Sequence, residues 1–168
     1  LESVVFAIAG VALAFAELAK QDAAAAALDG LLLKRAVKAA ARAHDMEATF
    51  MAKPFAEIDG SGMHVHLSLV DRDGRNVFAQ PLAGMAKAGH GPNLRHAVGG
   101  LLAAMPESLA IFAPNANSYR RIRPGCFAPI APNWGVNHRH VAVRIPVSDE
   151  HNLRLEHRVA GADCNPYL

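Results

Sequence analysis

The stretch Gly60-Ser61-Gly62-Met63-His64-Val65-His66-Leu67-Ser68-Leu69 sets two histidines two residues apart, between a glycine turn and an apolar run. On a strand, residues i and i+2 project from one face, so His64 and His66 point together while Met63, Val65 and Leu67 point the other way. That geometry suits contacts to a metal or a phosphate. It is equally that of two ordinary residues on an exposed strand, and the pair alone does not decide between them.

A second cluster, Asn152-Leu153-Arg154-Leu155-Glu156-His157-Arg158, alternates in the same way. Arg154, Glu156 and Arg158 share one face; Leu153, Leu155 and His157 share the other. Three charges on one face of a buried strand are costly unless they are paired or solvated. One reading is a solvated ladder in which Glu156 is screened by two arginines. The other is a carboxylate for a hard cation, flanked by guanidiniums that grip phosphate or carboxylate oxygens in pairs.

A third group of arginines lies in Asn117-Ser118-Tyr119-Arg120-Arg121-Ile122-Arg123-Pro124-Gly125, in His138-Arg139-His140 and in Val143-Arg144-Ile145-Pro146. Phosphoryl transfer needs fixed positive charge around a charge-spread transition state, and arginine stays ionised. For any one of them alone, a surface salt bridge is the simpler role. Arg139 and Arg144 are five positions apart, which on one regular strand would put them on opposite faces, so Arg139 is expected in the loop before the strand.

These side chains need elements to hold them. From Asp22 to about His44, Leu28, Leu31, Leu32, Val37 and Ala40 recur mostly at three- and four-residue spacing, predicting an amphipathic helix with Asp22 as N-cap. Glu47–Ala52 reads as a short strand ended by Lys53-Pro54, and residues 55–62 as a loop. Met63–Val70 reads as a strand that turns at 71–76 and returns through Val77-Phe78-Ala79 as a hairpin. The segment from Pro92 to about Ala113 reads as helical, with Pro106-Glu107 opening a second helix. Beyond it, six prolines exclude long helices, while 140–145 and 152–159 have the composition of strands. The sum is an α+β domain in which antiparallel strands carry the polar residues.

Composition removes several functions. The 168-residue length suits one domain with a sizeable core, and 52% of it is hydrophobic. Net charge is +2 with the basic residues scattered, so neither nucleic acid nor an anionic membrane has support. Cys126 and Cys164 lie far apart and outside any CxxC spacing, which argues against a disulfide scaffold and a cysteine zinc site, and for a reducing cytoplasm. The apolar run Val4–Ala16 falls short of the roughly 20 residues that span a bilayer and lacks the basic flank of a signal peptide. It is expected to be buried or anomalous. No GxxxxGK[ST], GxGxxG, GxSxG or HExxH occurs, so a nucleotide, if bound, is held by a sheet and arginines.

Taken together, Ala48-Thr49-Phe50-Met51-Ala52-Lys53-Pro54 and GSGMHVHLSL resemble the KP…GSGMHxHxSL signature of the glutamine synthetase family. Asn117-Ser118-Tyr119-Arg120-Arg121, Pro124-Gly125, Arg139, Arg144-Ile145-Pro146, Arg154–Arg158 and Asn165-Pro166-Tyr167-Leu168 follow that family in order. The resemblance runs from about Asp22 to Leu168. It implies part of the catalytic domain, with a curved antiparallel sheet and packed helices. It also implies an ATP-dependent ligase that phosphorylates the side-chain carboxylate of glutamate and lets an amine displace the phosphate. By the same resemblance His64 and Glu156 correspond to ligands of Mg2+ or Mn2+. His66, Ser68, Arg139, Arg144 and Arg154 fall on the ATP side. Gly60, Arg121 and Phe127 fall on the glutamate and amine side, and Arg158 at the transferred phosphoryl group. Arg121, Arg144 and Arg158 form the catalytic set. The resemblance also implies homo-oligomeric rings.

Two departures qualify the resemblance. Ammonia-using members carry a glutamate after the Pro-Gly turn; here Pro124-Gly125-Cys126-Phe127-Ala128-Pro129 has Phe127 in that place. A phenyl ring neither takes a proton nor attracts ammonium, so a larger amine is expected as acceptor instead of ammonia, as in the gamma-glutamylpolyamine synthetase branch. The family's GQ-x-E strand is also missing: its glutamate would fall near Phe15, and Glu2 and Glu17 are the only carboxylates before Asp22. Residues 1–21 are therefore read as divergent, and the N-terminal β-grasp domain and the C-terminal remainder as absent. The chain is expected to be a piece of a longer protein, with an inactive fragment or a nucleotide-binding assembly module as the alternative to a working ligase.

Overall fold

The computed structural model describes residues 5–7, 22–80 and 91–168. The run Val4–Ala16, apart from its strand residues, and the segment around Phe15 and Glu17 lie outside the described residues. Two compact units are defined, one made of Leu1–Met63, Leu109–Ala128 and Val159–Leu168, the other of His64–Ser108 and Pro129–Arg158.

In the first unit, β1 (Val5–Ala7) pairs in parallel with β2 (Glu47–Thr49). Between them runs α1 (Ala23–Ala43). Its start is the predicted one: the Asp22 carboxylate accepts from the Ala25 amide at 3.0 Å and satisfies one of the open N–H groups of the first turn. The chain leaves α1 through Asp45, whose φ of 54° is a left-handed conformation that a short polar side chain tolerates. Strand β2 is shorter than the expected Glu47–Ala52, because the Thr49 hydroxyl turns back to accept from the Met51 amide at 3.2 Å. The short α3 (Ala116–Tyr119) also belongs to this unit.

Helix α2 (Pro92–Phe112) corrects the expectation of a break: Pro106 sits inside one continuous helix. The proline leaves the Leu102 carbonyl without its helical donor, at a cost of about 3 kcal/mol. Leu94, Val98 and Met105, four and seven positions apart, form a buried stripe along the helix, and that burial outweighs the local cost.

The second unit holds a four-stranded sheet in the order β3 (Val65–Leu67), β6 (Leu155–His157), β5 (Val143–Ile145), β4 (Trp134–Val136). The β3–β6 and β5–β6 pairings are antiparallel, while β4–β5 is parallel, so the sheet is mixed where an antiparallel one was expected. Asn137, with φ 51°, turns the chain immediately after β4. A 3-10 turn at Glu150–Asn152 precedes β6. Val143, Ile145 and Leu155 are buried, as are Phe78 and Leu94.

The hairpin expected from β3 to residues 77–79 does not form. What remains of it is the Val70–Asn76 bridge, the 2.8 Å bond from the Val77 amide to the Leu69 carbonyl and the 2.9 Å bond from the Asp71 amide to the Arg75 carbonyl. The Asn76 side chain donates to the Leu153 carbonyl at 2.7 Å and accepts from the Phe78 amide at 2.9 Å, curling the chain so that Phe78 is fully buried. β3 finds its partner in β6 instead. Among the described residues no helix is long and apolar enough to cross a membrane.

Candidate active site

Strand period and register build the polar face. β6 is flanked on both sides, with Glu156 opposite His66 of β3 and opposite Arg144 of β5. The fully buried Glu156 carboxylate is met from three directions. His64 Nδ1 lies 3.0 Å from Oε1, Arg144 Nη1 donates to Oε2 at 2.8 Å, and Arg158 Nη1 donates to Oε1. Burial alone would raise this carboxyl; the hydrogen bonds from His64 and Arg144 and the charge of Arg158 more than offset it and hold it at about 2. The sequence cluster is thus a paired site and not a solvated ladder.

Two guanidiniums against one carboxylate leave positive charge on this face. Arg144 also donates to Asn137 Oδ1 at 2.8 Å, yet the Nε atoms of Arg144 and Arg158 are both buried with no hydrogen-bond partner among the described residues. Orphaned N–H groups of this kind fit an anion with several oxygens. Arg154 Nε donates to His66 Nδ1 at 3.1 Å, which makes Nδ1 the acceptor and places the ring proton on Nε2. Burial first, then the charges of Arg154, His64 and Arg144, lower the His66 pKa against the pull of Glu156. Ser68 is half-buried, two residues beyond His66. Arg139 lies in the turn before β5, as expected, and is exposed.

The fit to a divalent cation is one of donor type. With its Nδ1–H turned to Glu156, His64 presents Nε2, and an imidazole steered by a carboxylate is a common arrangement at metals. Both Glu156 oxygens already accept from neighbours. Among the described residues no group of three His, Cys, Asp or Glu side chains is placed to hold a metal. An imidazole and one carboxylate suit an ion that keeps several waters and completes its shell with phosphate oxygens.

The first unit carries the other candidates. Arg121 is 6% exposed; its Nη2 donates to the Val159 carbonyl, and its Nε has no partner among the described residues. Gly60 lies against it: a Cβ at Gly60 would stand 2.4 Å from the Ala52 carbonyl oxygen and 3.0 Å from Arg121 Cγ, so only glycine fits. Phe127 is 74% exposed, just beyond Gly125, whose φ of 80° makes the turn. A polar cleft in this unit is lined by Lys53, Glu57, Asp59, Arg123 and Cys126.

Sequence reasoning gave no role to Lys53, Asn117, Ser118 or Asp163. Asn117 accepts from the Lys53 amide at 2.8 Å and donates to its carbonyl at 2.7 Å, pairing with the loop as a strand would. The Lys53 ammonium is buried on the Ile58 carbonyl. The signal for Lys53, Asn117 and Ser118 was their place inside the quoted family strings, where lysine before proline and asparagine before serine carry no spacing of their own; Asp163 lies outside those strings.

A buried carboxylate under two arginines and a histidine, on a sheet with no glycine-rich phosphate loop, defines the class. The chain belongs to the glutamine synthetase family, whose catalytic-domain model matches residues 5–168. It is 50% identical over 140 residues to the gamma-glutamylputrescine synthetase of Escherichia coli (strain K12), covering 83% of this chain and 29% of that protein. A glutamate–isopropylamine ligase from a Pseudomonas species is 43% identical over 147 residues, covering 88% of this chain and 31% of the relative. The glutamine synthetase of Halobacterium salinarum is 40% identical over 150 residues, covering 89% and 32%. The chain thus spans about three tenths of the length of these curated relatives.

Proposed function

We propose that this chain carries the nucleotide side and part of the glutamate side of an ATP-dependent ligase that makes a gamma-glutamyl amide. The single observation that carries the reading is the Glu156 carboxylate buried among His64, Arg144 and Arg158, with two buried guanidinium Nε atoms uncommitted among the described residues. Arg144, with Arg139, Arg154, His66 and Ser68, would hold the ATP phosphates, and Arg158 the phosphoryl group in transfer. Arg121 would pair with a carboxylate of glutamate lying against Gly60. His64 and Glu156 would hold Mg2+ or Mn2+, which when bound neutralises phosphate charge.

In the reaction a side-chain carboxylate oxygen of glutamate attacks the terminal phosphorus of ATP, and ADP leaves with the bridging oxygen. An amine nitrogen then attacks the acyl carbon, phosphate departs, and the nitrogen loses a proton. Phe127 stands where a proton-accepting glutamate would be, which favours a larger amine over ammonia. Two relatives, a gamma-glutamylputrescine synthetase and a glutamate–isopropylamine ligase, support that choice by the amines in their names. Both cysteines are free thiols, in keeping with a reducing cytoplasm. A ring of identical subunits is expected from the family.

Calorimetric titration of the chain with ATP and Mg2+ or Mn2+, followed by phosphate release on adding glutamate with putrescine or with ammonia, tests the reading. Binding, with release favoured by putrescine, supports it. Release favoured by ammonia overturns the amine assignment, and absence of ATP binding overturns the nucleotide assignment. ATP binding with no release favours the second reading, a nucleotide-binding module.

A further inference from the structure

Asp163 belongs to none of the roles above, yet it is built into the first unit with unusual care. Its Oδ2 accepts from the Ser118 hydroxyl at 2.5 Å and from Asn115 Nδ2 at 3.1 Å. Its Oδ1 is buried with no partner among the described residues and packs against the Gly161 backbone, where an added Cβ would lie 2.2 Å away. Lys34 donates to the carbonyl of the next residue, Cys164, at 3.2 Å. Burial lowers the Arg121 pKa, and the charge of Asp163 opposes that fall.

Arg121 and Ser118 are tied in turn. The Arg121 amide donates to the Ser118 carbonyl at 3.2 Å, and the Ser118 hydroxyl accepts from the Asn115 amide at 3.1 Å, closing the start of α3. One carboxylate therefore fixes the short helix α3, whose Ser118 carbonyl holds the Arg121 amide, and its charge favours the charged form of the buried guanidinium. A buried guanidinium without counter-charge is costly and relaxes towards water.

We infer that Asp163 is a positioning residue for Arg121: through Ser118 it fixes α3, and by its charge it holds the guanidinium so that Nε stays uncommitted and turned to a substrate carboxylate. This rests on the assignment of Arg121 to glutamate, so two readouts are separated. The first is hydrogen exchange of the Arg121 Nε–H, followed by 15N NMR on the full 168-residue chain. Asp163→Asn keeps the size and removes the charge; it is expected to speed that exchange about tenfold or more, as expected when a charge-assisted restraint is lost. Ser118→Ala, which keeps the charge and cuts the tie to α3, is expected to act in the same direction, and Asp163→Glu to restore part of the protection.

The second readout is binding. Asp163→Asn is expected to weaken glutamate about tenfold while ATP affinity stays within about twofold. Unchanged Arg121 exchange in folded Asp163→Asn overturns the positioning role; should that variant not fold, unchanged exchange in Ser118→Ala overturns it. If the native chain binds no glutamate while both variants still speed the exchange, the positioning role stands and the assignment of Arg121 to glutamate fails.

Discussion

With its charge removed, Glu156 would leave Arg144 and Arg158 facing each other across a buried position. Glu156→Gln is therefore expected to cost about 3 kcal/mol or more in urea unfolding, since breaking a buried ion pair strands its partners. A loss below about 1 kcal/mol would mean that water reaches the site and screens the arginines. The charges on this face were legible in the sequence because a strand's period is two, which puts Arg154, Glu156 and Arg158 together. What period could not supply was the partner. Alternation says that a histidine faces the same way as its second neighbour, and nothing in it says that His64 will stand 3.0 Å from a carboxylate 92 positions later. Asp163 was hidden for a related reason, since its two hydrogen-bond partners, Ser118 and Asn115, both come from another part of the chain.

At the scale of elements, the start of α1 was readable because its cap is local: Asp22 bonds to an amide three positions on. The long α2 was misread because a proline is a local signal and a buried stripe is not. Pro106 is exposed and its ring costs the helix one hydrogen bond. Pro106→Ala is expected to stabilise the chain by about 2 kcal/mol, the helical gain of about 3 being reduced by up to about 1 through the freer unfolded chain. A rise in the urea midpoint at unchanged slope checks it. The missing hairpin has the same origin: turn residues at 71–76 do form a turn, with Asp71 Oδ1 accepting from the amides of Asp73 and Arg75 at 2.9 Å each, but burial of Phe78 decides where the return arm goes.

At the scale of the whole molecule, acid should act on the sheet through two neighbours on β6. Burial lowers the His157 pKa from 6.5 to about 4, with the charge of His64 adding to it, so its contribution is present above pH 6.5 and lost as pH falls to about 4. Glu156, lowered from 4.5 to about 2, contributes above pH 4.5 and loses that contribution as pH falls towards 2. Melting temperature in a chelating buffer is expected to fall in two stages across these windows, and a flat profile from pH 7 to 4 would contradict the burial of His157. The register of β6 also sets an order of assembly. Arg144 reaches Glu156 from 12 positions away, whereas His64 and Arg158 are 94 apart, and closing the longer loop costs about 2 kcal/mol more. Refolding should therefore join β5 to β6 first, so that the carboxylate meets its arginine early and its histidine last.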